Sequence, residues 1–216
     1  MKLSYAITVC NESKDLFSLV SFLLKVKDDE DEINILIYTK HVTENVKNVI
    51  KHFGNKVVTC ERDFDGNFSE HRNFHLSKCS GDYIFIIDPD EMPKEKLIKG
   101  IKTAVKDSGA DLIMIPRINI HPGFTQEWLE KSTFTVNELD WINWPDYICR
   151  VFPNTPEIKY GNELHEVIVG YKKRICLQAD PSIAIWHIKS IEKQSNRWDG
   201  EVFKSPEGDN LYDNLM

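Results

Sequence analysis

The chain has 216 residues, 41% hydrophobic and 28% charged, with a formal charge of −7. That length suits one domain with a continuous core, and the composition is that of an ordinary soluble globular protein. No apolar run approaches the roughly 20 residues of a membrane helix, and the acidic balance argues against a broad nucleic-acid footprint. Leu3, Tyr5, Ile7 and Val9 alternate from the start, so the N-terminus reads as a first strand and not as a signal peptide. The cysteines Cys10, Cys60, Cys79, Cys149 and Cys176 are odd in number and scattered. That pattern suits free thiols in a reducing cytoplasm.

After the first strand, Asn11-Glu12-Ser13 offers N-cap chemistry, and Leu16, Leu19, Val20, Leu23 and Leu24 follow at helical spacing. A short apolar run over 33–38 predicts a strand covered on both faces. Val42, Val46, Val49, Ile50 and Phe53 predict a helix stopped at Gly54, and 56–60 predict a third strand. Asn67 with Glu70 resembles a capping box for a helix running to about Cys79. Residues 83–87 then predict a buried strand that runs straight into Asp88. A helix over 94–106 and a strand over 111–115 close this half. Four strand-then-helix units in a row imply a parallel sheet, whose ligands bind beyond the carboxyl ends of the strands.

The second half has weaker periodicity. Residues 117–147 hold Trp128, Trp141, Trp144 and several prolines, and read as a long loop region with one helix. Strands are expected over 148–152, 164–169, 175–179 and 183–188, partly antiparallel, then helix from Lys189 to about Phe203 and a polar tail over 205–216. The expected organisation is one domain over 1–204, its character changing between 115 and 116, followed by the polar tail.

Asp88-Pro89-Asp90-Glu91 carries the strongest chemical signal. In extended backbone, residues i and i+2 point the same way, so Asp88 and Asp90 can converge at the end of the strand. Paired carboxylates there suit a hard divalent cation such as Mn²⁺ or Mg²⁺, which also ligates diphosphate oxygens. The bland alternative is a turn whose acids cap the following helix.

The segment 68–91 contains Arg72-Asn73, Gly81-Asp82-Tyr83-Ile84 and Asp88-Pro89-Asp90. It resembles the core signature of family 2 glycosyltransferases with the GT-A fold. Asn11-Glu12, Arg150-Val151-Phe152, Leu164-His165-Glu166 and Trp186-His187 extend the similarity over residues 3–190. The resemblance implies a Rossmann-like α/β GT-A fold: a mostly parallel central sheet flanked by helices, with a smaller, partly antiparallel C-terminal part. It implies a metal-dependent, inverting transfer of a sugar from a nucleotide diphosphate donor. Asp88 and Asp90 would hold the metal and the donor, with His187 as a third ligand. Arg72 and Asn73 would line the nucleotide or diphosphate pocket, and Asn11 and Glu12 would lie near the base. For Arg72, a surface ion pair with Glu70 or Asp63 is the open alternative; for Asn11 and Glu12 it is simple capping.

The family's usual Asp-rich turn after the second strand is replaced by Tyr38-Thr39-Lys40-His41, which leaves Thr39 as a base contact and the nucleotide open. An inverting transfer needs a carboxylate base. Glu166 is the leading choice, with His165 as a possible base or substrate contact, and a buried His beside a surface Glu as the alternative. Lys189, Lys193 and Arg197, at helical spacing, would reach the diphosphate or form a solvated face. The pair His71 and His75 fits helix packing better than metal binding. The tryptophans would stack on a sugar acceptor or pin the loop. The acceptor could be a glycan, a protein, a small molecule or, against the charge, a nucleic acid. The rival readings are a nucleotidyltransferase, which lacks its Gly-rich loop here, and a catalytically silent sugar- or nucleotide-binding module.

Overall fold

The structure is a computed structural model that describes residues 1–191. Strands β1 (Leu3–Val9), β2 (Glu32–Tyr38), β3 (Val58–Arg62) and β4 (Tyr83–Ile86) alternate with helices α1 (Ser13–Val26), α2 (Glu44–Phe53) and α3 (Phe68–Leu76). β5 (Glu91–Pro93), α4 (Glu95–Ser108), β6 (Leu112–Ile120) and α5 (Gln126–Ser132) follow. The described part closes with β7 (Ile142–Pro153), β8 (Lys159–Gly161), β9 (Val167–Val169), β10 (Arg174–Cys176) and β11 (Ile185–Ile188).

The central sheet runs β3-β2-β1-β4-β7-β6-β11-β5, with β10 on the side of β6. β1 to β4 are mutually parallel, as their strand-then-helix rhythm requires. β7 then inserts antiparallel between β4 and β6. The fold is therefore α/β with a mostly parallel sheet and an antiparallel element in the second half, as expected. Alternation divides the core between the two faces. Leu3, Tyr5, Ile7, Phe85 and Ile87 pack with the apolar stripes of α1, α2 and α4. Ala6, Ile84, Ile86 and Phe152 pack with Leu76 of α3 and with Tyr160 and Ile168 of the β8–β9 ribbon.

Several boundaries differ from the sequence reading. β7 begins at Ile142, so the stretch taken as loop to 147 contains half of a long strand. Pro145 and a register irregularity opposite β6 break the alternation that would have revealed it. β5 has only three residues, too few to show a period. Residues 164–166 are not strand: β9 starts at Val167, and His165 has a left-handed φ of 56°. The expected capping box is half present: the Asn67 side chain accepts from the Glu70 N–H at 3.0 Å. Gly81 has no room for a side chain, because a Cβ there would lie 2.6 Å from the Ser4 backbone nitrogen.

His75 belongs to the core, not to a metal site. Its Nε2 faces the Asn34 carbonyl at 3.2 Å and must donate, so Nδ1 accepts from the Thr8 hydroxyl at 3.4 Å. Burial pushes the His75 imidazole down to about 3, and burial likewise pushes His121 down to about 4. Both folded values lie below the ordinary histidine value of 6.5. As pH falls below 6.5 the unfolded chain binds protons that the folded chain refuses. Stability is complete above 6.5 and erodes toward the folded values. At pH 5, unfolding is expected to take up about one proton per buried histidine, a slope of roughly 1.4 kcal/mol per pH unit for each. Denaturant midpoints measured from pH 7 to pH 5 test this: the slope should flatten by one proton's worth in His75→Leu, and an unchanged slope would refute the assignment.

Candidate active site at the carboxyl edge of the sheet

β1, β2 and β4 are parallel neighbours, so Asn11, Thr39 and Asp88 follow strands that end on one edge of the sheet. At that edge the Glu12 side chain turns back. Its Oε2 accepts from the backbone N–H groups of Cys10 and Asn11, each at 3.0 Å, so this carboxylate closes the end of β1 and makes no side-chain cap of α1. The Thr39 hydroxyl donates to Asp63. Beside it, Tyr38 meets the rings of His41, Phe64 and His71 edge-on.

The residues after β4 sit in a chain of ion pairs. Arg72 on α3 does not pair with Glu70 or Asp63; Arg62 takes Glu70 instead. The Arg72 Nε donates to Glu166 Oε1 at 2.8 Å, and its Nη2 lies 3.9 Å from Asp88 Oδ1. Arg150 on β7 donates from Nη2 to Asp88 Oδ2 at 2.9 Å and also to Glu91 Oε1. Arg117 on β6 donates to Glu91 Oε1 at 3.1 Å and, through Nη2, to Asp146 Oδ2 at 2.6 Å. Burial opposes the Asp88 charge, but Arg150 and then Arg72 hold its carboxyl well below the usual carboxylate range. Burial also opposes the Arg72 charge, and Tyr160, Asp88 and Glu166 outweigh it, raising its value.

Asp90 lies two residues further on, and its charge works against the arginines by raising the Asp88 value. Its Oδ2 lies 3.7 Å from His187 Nε2, which comes from β11 on another part of the sheet. β11 pairs with both β5 and β6, placing His187 opposite Glu91 on one side and Asn119 on the other.

The fold thus joins Arg72, Asp88 and Glu166 in one ion-paired group and sets Asp90 against His187, all five singled out in the sequence; among the described residues no three His, Cys, Asp or Glu side chains are grouped so as to hold a metal ion by themselves. It treats the others differently. Asn73 uses both ends of its amide on the backbone of Tyr160, donating to the carbonyl at 2.9 Å and accepting from the N–H at 2.8 Å. That pins β8 to α3. Phe68 N–H donates to the Glu163 carbonyl at 3.0 Å, and the Ser69 hydroxyl donates to the Asn162 carbonyl, so the turn carrying Glu166 is held to the start of the same helix. His165 projects from that turn and is exposed. Lys193 and Arg197 lie outside the described residues.

Glu91, Arg117, Asn119, Asp146 and Arg150 complete the cluster, and the sequence reading gave none of them a role. The available signal was polar Arg117 and Asn119 inside the apolar run of β6, a pattern that demands buried partners. Trp141 lies edge-on to both Trp144 and Trp186, and Trp128 packs against His121 and Phe134. These rings brace the loops around β11. Among the described residues, no helix is long and apolar enough to cross a membrane.

Comparison with known proteins agrees with this architecture. Glycosyltransferase GlyG of Streptococcus pneumoniae is 25% identical over 115 residues, covering 52% of this chain and 38% of GlyG. The crystal structure of S. aureus TarS 1–349 matches with a TM-score of 0.59 at 14% identity, over 92% of this chain and 63% of that one. TarS 1–349 in complex with UDP-GlcNAc gives a TM-score of 0.59 at 14% identity, over 88% and 59%. At such identity the likeness concerns the fold alone, which is GT-A. This chain spans less than two thirds of either relative's length. Residues 4–160 match the model of the family described as Glycosyl transferase family 2. The resemblance carried by Arg72-Asn73, Gly81-Asp82 and Asp88-Pro89-Asp90 therefore reflects descent, and the chain belongs to glycosyl transferase family 2.

Proposed function

We propose that this chain transfers a sugar from a nucleoside diphosphate donor to an acceptor hydroxyl, with inversion, at a divalent cation. The observation that carries the reading is the convergence of Asp90 and His187, 3.7 Å apart from separate strands, beside the Arg72–Asp88–Glu166 group. The Asp90 carboxylate suits Mn²⁺ or Mg²⁺, and the His187 imidazole nitrogen favours Mn²⁺ over the oxygen-seeking Mg²⁺, with Asp88 adjacent and already neutralised by Arg150. When bound, the cation would offset the charge of the leaving diphosphate.

The chain's own residues do the rest. Arg72 and Arg150, both charged, flank Asp88 and offer guanidinium donors to phosphate oxygens. Glu166 is held by the Arg72 Nε with its second oxygen left to take the acceptor's proton as the acceptor oxygen attacks the anomeric carbon. Residues 1–115 would bind the nucleotide, with Asn11, Thr39 and the Tyr38 ring cluster near the base, and the second half would shape the acceptor site. A UDP-sugar is the first donor to try, because UDP-GlcNAc is the one named with TarS.

The test mixes the protein with UDP- and GDP-sugars, with and without Mn²⁺, and reads thermal shift and release of nucleoside diphosphate. Glu166→Gln is expected to leave donor binding intact and to lower kcat by about 10²- to 10⁴-fold. Unchanged turnover would remove Glu166 as the base. If no nucleoside diphosphate binds in the presence of Mn²⁺, the transferase reading gives way to the silent binding module.

A further inference from the structure

Asn119 is buried, and its amide is read at both ends. The Nδ2 faces two acceptors, Asp146 Oδ2 at 2.8 Å and the Ile142 carbonyl at 3.5 Å. Neither carries a hydrogen, so the amide nitrogen must lie on that side and Oδ1 on the other. Oδ1 is 2.8 Å from His187 Nδ1. A carbonyl oxygen only accepts, so Nδ1 must carry a proton, and in the neutral ring that leaves the lone pair on Nε2. That Nε2 is the atom facing Asp90 at 3.7 Å. The orientation is anchored further back: Arg117 grips Asp146 through Nε at 2.9 Å and Nη2 at 2.6 Å. Arg117 also holds the buried Glu91, so the relay from Arg117 through Asp146 and Asn119 to His187 is fixed to the sheet.

We propose that Asn119 is a positioning residue that locks His187 in the Nδ1–H tautomer and so presents Nε2, together with Asp90, to a divalent cation. The inference rests on the metal-dependent reading above, and it adds a residue that acts only through another. Partners of this kind typically change metal affinity by 10- to 100-fold when removed.

The test begins with the unmodified, metal-free full chain, labelled with ¹⁵N, at pH 7.5. His187→Gln identifies the His187 signals among those of the seven histidines. A protonated Nδ1 with an unprotonated Nε2 is the expected signature. An Nε2–H tautomer or a doubly protonated ring overturns the proposal. Isothermal titration with Mn²⁺ then compares wild type, Asp90→Ala and Asn119→Leu. Asn119→Leu is expected to mix the two tautomers and to weaken Mn²⁺ binding on the order of 10- to 100-fold. A folded Asn119→Leu with wild-type affinity overturns the role of Asn119 while leaving the Asp90 site standing. Failure of the wild type itself to bind Mn²⁺ removes that site and the proposal together. If Asn119→Leu does not fold, the wild-type tautomer still decides.

Discussion

Asp90→Ala is expected to lower kcat/KM by roughly 10³-fold and to abolish the Mn²⁺-dependent thermal shift with nucleoside diphosphate. A metal ion supplies several kcal/mol of charge stabilisation as a diphosphate leaves, and about 4 kcal/mol corresponds to that factor. The effect is placed on Asp90 rather than Asp88 by geometry. Asp88 already accepts from Arg150 at 2.9 Å, whereas Asp90 is turned toward His187 at 3.7 Å. Chelation of the wild type by EDTA is expected to reproduce the loss, with Mn²⁺ restoring it. A steady-state assay with and without added metal checks both. Full activity in Asp90→Ala, or indifference to EDTA, would sink the proposed metal site.

The second large effect concerns stability. Glu91 is 1% exposed and serves three donors: Arg150, Arg117 at 3.1 Å and the Asp88 backbone N–H at 3.1 Å. Removing one partner of a buried ionic cluster leaves its neighbours charged and uncompensated, at a cost of about 3–5 kcal/mol. Glu91→Leu is therefore expected to lose on the order of 4 kcal/mol, read as a drop in the urea midpoint. The Arg150 Nε, buried with no hydrogen-bond partner among the described residues, leaves that guanidinium all the more dependent on Glu91 and Asp88. The double variant Glu91→Leu with Arg150→Met is expected to recover part of the loss, because the orphaned charge goes with it. Wild-type stability in Glu91→Leu would mean that the arginines find other neutralisation.

Most of the first half was legible before any coordinates. Period-two alternation located β1, because its large apolar residues Leu3, Tyr5 and Ile7 share one face, and helical spacing located α1 and α2, because each buries one apolar stripe. Asn67 and Gly54 punctuate their helices as their types dictate. The second half resisted because its elements are short or interrupted. β5, β8, β9 and β10 have three residues each, and Pro145 sits inside β7. His165 and Glu166 were read as alternating along a strand, yet the chain turns there. His165 faces solvent, and Glu166 is fixed by Arg72, a helix residue 94 positions earlier.

The sequence by itself determined where the acidic triplet Asp88-Pro89-Asp90 falls, directly after a buried strand, and to which family the signature around it belongs. Those are local facts, written in contiguous residues and in periodicity. Only the tertiary structure decided which carboxylate is engaged by arginine and which meets a histidine. It also showed that Asn73 ties β8 to α3, that Arg150 links Asp88 to Glu91, and that Arg117, Asp146 and Asn119 continue the chain from Glu91 to His187. The reason is physical. The pairings span 16 to 97 positions in sequence, and they form because a buried charge must find a partner wherever the sheet order places one. The order of β4, β7, β6 and β11 is set by how the whole chain packs, and no single segment encodes it.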